Sequence, residues 1–276
     1  MFLKLNNGNE IPQIAVGTWK LNNKNNIFEL CDEALSLGIS HIDTATFYEN
    51  ENFIGDWISK QKREDVFITT KLHNNDHDNA VKALDTSLSK LKTNYVDLYL
   101  IHWPVNSNGE FNLEKVWRQM ESLVISKKAR SIGVSNFGIK NLTKLLKICK
   151  IKPVVNQIEV HPYLPQYEIR DFCKKNNIIV EAYSPFGSGN DGEYSLVKDK
   201  TINEIATKYS ATPQQVILSF LLKEGLVVIP RTSSKEHFKS NSKLVDLKYE
   251  DHDKIKNISI SHRFIDPVSF GEKRFD

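Results

Sequence analysis

Cysteine is scarce in this chain. Its three cysteines (Cys31, Cys149, Cys173) are odd in number, widely spaced and without a C-x-x-C pair. Such a set builds neither a disulfide framework nor a zinc site, so no metal is expected. A dominant charge is missing too: 37 Lys and Arg against 34 Asp and Glu leave a net charge of +3. That is too weak to argue for nucleic acid or an anionic membrane as partner, though it allows a local basic site for a phosphorylated small molecule. No apolar stretch approaches the roughly 18 residues of a membrane span. The N-terminal MFLKLNNGNEIPQ has no basic region followed by a long apolar run, so no secretory signal and a cytoplasmic location are expected. No G-x-G-x-x-G follows a predicted strand, which argues against a Rossmann nucleotide site. Linkers and low-complexity segments are absent as well; NSNGE and GSGNDG read as loop punctuation.

What is present is an ordinary globular composition, 40% apolar and 26% charged, with short β-branched runs alternating with longer amphipathic ones. MFLKLNNGNEIP reads as a hairpin, NNG supplying residues that tolerate positive φ. Eight strands are expected after it, around IAVG, SHID, DVFITT, YVDLYLI, RSIGVS, PVVNQIE, IIVEAY and LVVIP. Between them, NNIFELCDEALSLG places Ile27, Leu30, Cys31, Ala34 and Leu35 at helical spacing with Gly38 as a stop. DNAVKALDTSLSKLK, LEKVWRQMESLVISKK, GIKNLTKLLKICK, YEIRDFCKKNN and ATPQQVILSFLLKEG continue the pattern. The last has Thr212 as N-cap and Pro213 at the first helical position. Eight alternating units without a composition break predict an α/β protein, a (β/α)8 TIM barrel with an N-terminal β-hairpin, forming a single domain over 1–276.

Four polar residues fall near the ends of three successive predicted strands: Asp43 with Tyr48 just beyond it, Lys71, and His102. In strand-then-helix repeats the carboxyl ends of the strands converge on one face, where such folds do chemistry. A phenol of pKa about 10 is a poor acid unless its phenolate is stabilised. A Lys71 ammonium held by Asp43 would do that. His102 could orient a carbonyl by hydrogen bonding or donate a proton itself. Taken singly, each is better explained as structure: an ion pair, a helix-start tyrosine, a satisfied histidine. Together they read as carbonyl reduction, with Trp19, Phe47 and Trp103 as aromatic walls that keep water from a hydride transfer.

None of these side chains delivers a hydride, so the reading requires a nicotinamide cofactor. Ser135, Asn136 and Gln157, read at the ends of two later strands, could bond a carboxamide, and Tyr183 could stack on the ring. The small residues of SPFGSGN (184–190) permit backbone approach to a pyrophosphate. Arg231, Thr232, Ser233 and Ser234 after the eighth strand stand where barrels commonly bind phosphate. Lys71 as a Schiff-base nucleophile is a rival enzymatic reading, and a nicotinamide-binding regulatory or sensor protein is the rival from another class.

The segments GTWK (17–20), HIDTATFYENE (41–51), ITTKL (68–72), LIHWP (100–104), GVSNF (133–137), NQIEVHPY (156–163), EAYSPFG (181–187) and IPRTSS (229–234) together resemble the aldo-keto reductase family over nearly the whole length. The pattern is nearest to small bacterial reductases of the diketogluconate and methylglyoxal kind. The resemblance implies metal-free reduction of aldehydes and ketones by NADPH, with Tyr48 as general acid, Lys71 and Asp43 as its tuners, and His102 orienting the carbonyl. It implies cofactor contacts at Gly17, Thr18, Trp19, Asp43, Ser135, Asn136, Gln157, Tyr183, Ser184, Pro185, Phe186, Gly187, Ser188, Ile229, Pro230, Arg231, Thr232, Ser233, His237, Ser240 and Asn241. It implies a substrate site of Trp19, Phe47, Tyr48, His102 and Trp103, helped by the C-terminal HRFIDPVSF.

Two departures from the family pattern matter. Arg231, Thr232, His237 and Ser240-Asn241 stand where the family has Lys, Ser, Arg and Glu-Asn. Arg231 keeps a fixed charge suited to phosphate, while a largely neutral His237 weakens a second contact. NADPH is therefore expected over NADH, by a reduced margin. The segment after His102 is short and the tail brief, a shallow mouth that favours small activated carbonyls such as 2-oxoaldehydes. A monomer is expected.

Overall fold

The structure is a computed structural model that describes residues 1–105, 111–187, 194–268 and 275. Two short strands, β1 (Phe2–Lys4) and β2 (Glu10–Pro12), pair antiparallel. Eight parallel strands follow in sequential order: β3 (Ala15–Gly17), β4 (His41–Asp43), β5 (Phe67–Leu72), β6 (Val96–Ile101), β7 (Ala129–Ser135), β8 (Val155–Glu159), β9 (Ile179–Tyr183) and β10 (Val227–Ile229). Bridges Ile14 to Val228 and Gly17 to Arg231 bring the last strand back to the first and make the ring a barrel. The seam is tight. A side chain at Gly17 would meet Ile229 Cγ2 at 3.1 Å and the Pro230 carbonyl at 3.2 Å, so a bare α-carbon is what lets β3 and β10 approach.

Ten helices wrap the ring among the described residues: α1 (Lys24–Ser36), α2 (Glu51–Ile58), α3 (Ala80–Leu91), α4 (Leu113–Ile125), α5 (Ile139–Ile148), α6 (Tyr167–Lys175), α7 (Lys200–Lys208), α8 (Pro213–Lys223), α9 (Lys235–Asn241) and α10 (Tyr249–Lys256). The six read from periodicity are α1, α3, α4, α5, α6 and α8. Thr212 caps α8 in a reciprocal capping box with Gln215, and Pro213 opens the helix, satisfying amides that would otherwise lack partners. In α1, Ile27, Leu30, Cys31 and Ala34 are buried, and Gly38 just beyond it has a φ of +75°.

The amino-terminal end of the barrel is closed by the hairpin. Leu5 and Ile11 pack there with Leu98, Leu100, Val154, Val155 and Val227 in one apolar cluster. Asn6 Nδ2 donates to the carbonyls of Pro153 and Asn177, at 2.9 and 3.0 Å, pinning the turn to the barrel. The opposite end is where the polar strand-end residues gather.

Candidate active site

β4 ends at Asp43, and a single 3₁₀ turn, Thr46–Tyr48, carries the chain back over the barrel mouth. Asn50 locks that turn. Its side-chain amide donates to the carbonyls of Thr18 and Leu21, and its Oδ1 accepts from Thr44 Oγ1 at 2.7 Å. Lys71 does not follow β5, as the sequence suggests, but lies within it, because the strand continues through Leu72. Its side chain therefore runs inside the barrel, fully buried.

Lys71 Nζ donates to Asp43 Oδ1 at 2.7 Å, to the Thr44 carbonyl at 2.9 Å and to the Tyr48 hydroxyl at 3.3 Å. All three ammonium hydrogens have partners. Burial works against the Lys71 charge, but the Asp43 carboxylate and the Tyr48 phenol outweigh it and hold its pKa above the usual lysine value. Burial raises the half-buried Tyr48 phenol, and the Lys71 ammonium pulls in the other direction. His102 is held well below the usual histidine range by burial and by the nearby Lys71 ammonium, so it is a neutral imidazole at pH 7. Its ring stands 5.8 Å from the Tyr48 ring and 6.4 Å from that of Phe47. Phe47 is 57% exposed, an aromatic face left open at the mouth.

A second polar group lies across the mouth. Ser135 Oγ donates to the Gln157 carbonyl at 2.8 Å, and Asn136 Nδ2 donates to Ser135 Oγ at 3.2 Å and to the His102 carbonyl at 3.0 Å. The Tyr183 hydroxyl donates to Asn136 Oδ1 at 2.7 Å. Gln157 sits in the middle of β8 rather than at its end. From there its Nε2 donates to Asp43 Oδ2 at 2.9 Å and to Glu181 Oε2 at 2.7 Å, so both hydrogens of its amide are used. Thr18 donates its hydroxyl to the Asp43 carbonyl at 2.9 Å. Nine of the expected residues (Thr18, Asp43, Tyr48, Lys71, His102, Ser135, Asn136, Gln157 and Tyr183) thus form one connected neighbourhood.

Others lie around the seam. Ile229 is buried there, the Pro230 carbonyl accepts from Gly17 N at 3.0 Å, and exposed Arg231 donates Nε to the Trp19 carbonyl at 2.9 Å. Ser234 caps α9, accepting from His237 N, and Thr232 Oγ1 accepts from Ser234 N. Ser233 and His237 are exposed. Ser240 and Asn241 sit at the far end of α9, where the Ser240 carbonyl is taken by Gln215 and Asn241 is buried. Ser184, Phe186 and Gly187 are half-buried, and Pro185 is buried. Ser188, like the rest of 188–193, lies outside the described residues.

Sequence reasoning missed several neighbours. Glu181 is a fully buried carboxyl group in β9, and its only signal in the sequence is one acidic residue in an otherwise apolar run. His73 stacks on Phe47 at 5.5 Å between ring centroids. Glu159 Oε1 and Oε2 accept from the amides of Phe264 and Ile265 at 2.7 and 3.0 Å, latching the tail to β8. A side chain at Gly187 would meet the Phe264 ring at 2.7 Å, so the space its small size leaves is filled by the tail. Phe275 lies 5.5 Å from Trp103. Through these contacts the C-terminal segment reaches the site.

A family model described as aldo/keto reductase family matches residues 13–260. An aldose reductase of Encephalitozoon cuniculi is 42% identical over 99% of this chain and 98% of its own length. A glyoxal reductase of Bacillus subtilis is 39% identical over 95% and 94%. Among solved structures, a Bombyx mori aldo-keto reductase in complex with NADP superposes with a TM-score of 0.91 at 34% identity, covering 99% of this chain and 97% of that one.

Proposed function

The chain belongs to the aldo/keto reductase family, and from its geometry we propose that it is an NADP-dependent oxidoreductase reducing small aldehydes and ketones with Tyr48 as general acid. The observation that carries this reading is the buried bridge from Asp43 through Lys71 to the Tyr48 hydroxyl. When bound, the reduced nicotinamide supplies hydride to the carbonyl carbon. Tyr48 gives its proton to the carbonyl oxygen as negative charge develops there. Burial keeps that proton on Tyr48 until the reaction needs it, and the Lys71 ammonium lowers the cost of the phenolate left behind. Neutral His102 hydrogen-bonds the same oxygen and orients it. Its depressed basicity favours Tyr48 as the acid and supports the orienting role for His102 over proton donation.

The residues present fit the cofactor. The side-chain amides of Asn136 and Gln157 and the Ser135 hydroxyl suit a carboxamide, and Tyr183 supplies a half-buried ring beside them. Arg231 would meet the 2′-phosphate, which supports NADPH over NADH. The Schiff-base alternative fares worse on the same geometry. A nucleophilic amine needs a free lone pair, whereas Lys71 is held as an ammonium with three acceptors around it. A purely regulatory role would leave this bridge without a purpose.

The open mouth at Phe47 supports small, activated substrates of the 2-oxoaldehyde class. Initial rates of NADPH oxidation with methylglyoxal, run beside NADH, test the reading. Saturable turnover favouring NADPH is expected. A folded protein that turns over neither cofactor would contradict it, and faster turnover with NADH would contradict the role of Arg231.

A further inference from the structure

Glu181 takes no part in the mechanism above, yet it is fully buried at the centre of β9, level with Gln157 of β8 in the strand register. The Gln157 amide nitrogen carries two hydrogens, and Asp43 and Glu181 take one each. Asp43, ion-paired with Lys71, only accepts hydrogen bonds, so the nitrogen end of that amide must face it. Charge counting then locates a proton. One buried ammonium serves two buried carboxyl groups, and Lys71 touches Asp43 but not Glu181. An ionised Glu181 would be a buried charge without a counterion, so it stays neutral.

Burial and the Asp43 charge accordingly push Glu181 up to about 8. Glu181 Oε1 has no hydrogen-bond partner among the described residues, so it is the oxygen free to hold the proton. The charged groups that act on Glu181 are Asp43 of β4 and Lys71 of β5. The neighbouring strands contribute uncharged Gln157 and Val227.

We propose that Glu181 is a positioning residue for the cofactor: its neutral carboxyl group holds the second hydrogen of the Gln157 amide and leaves Gln157 Oε1, an acceptor, as the part offered to the nicotinamide carboxamide. The site then selects an amide NH₂ and rejects a carboxylate in its place. This rests on the NADP-dependent reading above and adds a polarity to it.

The test compares full-length wild type with Glu181→Gln and Glu181→Leu. One readout is the ratio of dissociation constants for the nicotinic-acid analogue of NADP⁺ and for NADP⁺ itself, from quenching of tryptophan fluorescence. The other is the infrared carboxylic-acid band of the cofactor-free protein. Wild type should discriminate by tenfold or more, and Glu181→Gln should match it, because its carbonyl accepts the same hydrogen. Glu181→Leu should lose at least threefold of that discrimination. A wild-type acid band should be present at pH 7, fade above about pH 8 and be missing in both variants.

Unchanged discrimination in a folded Glu181→Leu would overturn the proposal. So would its loss in Glu181→Gln, or the lack of a Glu181-dependent acid band, and these last two decide the matter even where Glu181→Leu does not fold. Normal NADP⁺ binding with any of those results sinks the positioning role alone. A wild type that binds neither dinucleotide sinks the cofactor reading and the positioning role with it.

Discussion

The two ends of the barrel interior are built by the same eight strands and filled in opposite ways. Beneath the hairpin, the ring is plugged with Leu5, Ile11, Leu98, Leu100, Val154, Val155 and Val227. Beside them the same ring encloses Asp43, Lys71, Gln157 and Glu181, all buried: Gln157 stands two residues beyond Val155 on β8, while Lys71 and Glu181 pair with Leu100 and Val227 in the strand register. The apolar end holds the barrel together by removing surface from water. The polar end spends stability: two carboxyl groups and an ammonium lose their hydration and recover it only through specific pairing. Stability and chemistry are therefore carried by different side chains of one ring, and substitutions in the plug and in the polar group should have different signatures.

The largest effect should come from Lys71→Met. It removes the cation between Asp43 and Tyr48, and kcat should fall by about 10²–10⁴, the usual worth of a positioned acid whose phenolate is no longer stabilised. A Lys71→Met enzyme with near-normal turnover would erase the distinction between the ends.

Ile11→Ala, at the plugged end, should do the reverse. Removing a fully buried side chain should cost about 2–5 kcal/mol of unfolding free energy and leave kcat within twofold. Denaturant unfolding and steady-state kinetics on one preparation read both quantities. A large drop in kcat without loss of stability would contradict the comparison.

A smaller effect sharpens it through pH. Burial and Asp43 raise Glu181 from the ordinary 4.5 to about 8. Between those values the folded protein keeps a proton that the unfolded chain has released, so stability falls as pH rises through that window and levels off above it. Glu181→Gln has no such proton to keep. Its Tm advantage over wild type should be small near pH 4.5, grow to pH 8 and then stay constant. A pH-independent difference would mean that Glu181 is ionised in the fold.

Much of this was legible in the sequence because the signals are local. An apolar run bounded by turns marks each strand, and Thr212 with Pro213 marks a helix start. Asp43, Tyr48, Lys71 and His102 stand out as polar groups closing apolar runs. The rest depends on contacts that no local pattern carries. Gln157 meets Asp43 from four strands away in chain order, and Glu181 looks in IIVEAY like any outward-facing carboxylate until the register places it beside Gln157. Nothing in the sequence of Phe275 foretells its approach to Trp103. Helix α2 leaves little trace in the sequence, because ENFIGDWI is short and carries Gly55 in mid-helix, which lowers its intrinsic preference.

The most direct test of the central claim is a paired measurement on Tyr48→Phe: kcat for carbonyl reduction and the dissociation constant for NADPH. Removing only the hydroxyl that Lys71 Nζ meets at 3.3 Å should lower kcat by about 10²–10⁴ and leave NADPH affinity within a few-fold of wild type. Near-normal kcat, with the same substrate and saturating cofactor, would contradict Tyr48 as the acid and with it the account of the polar end of the barrel.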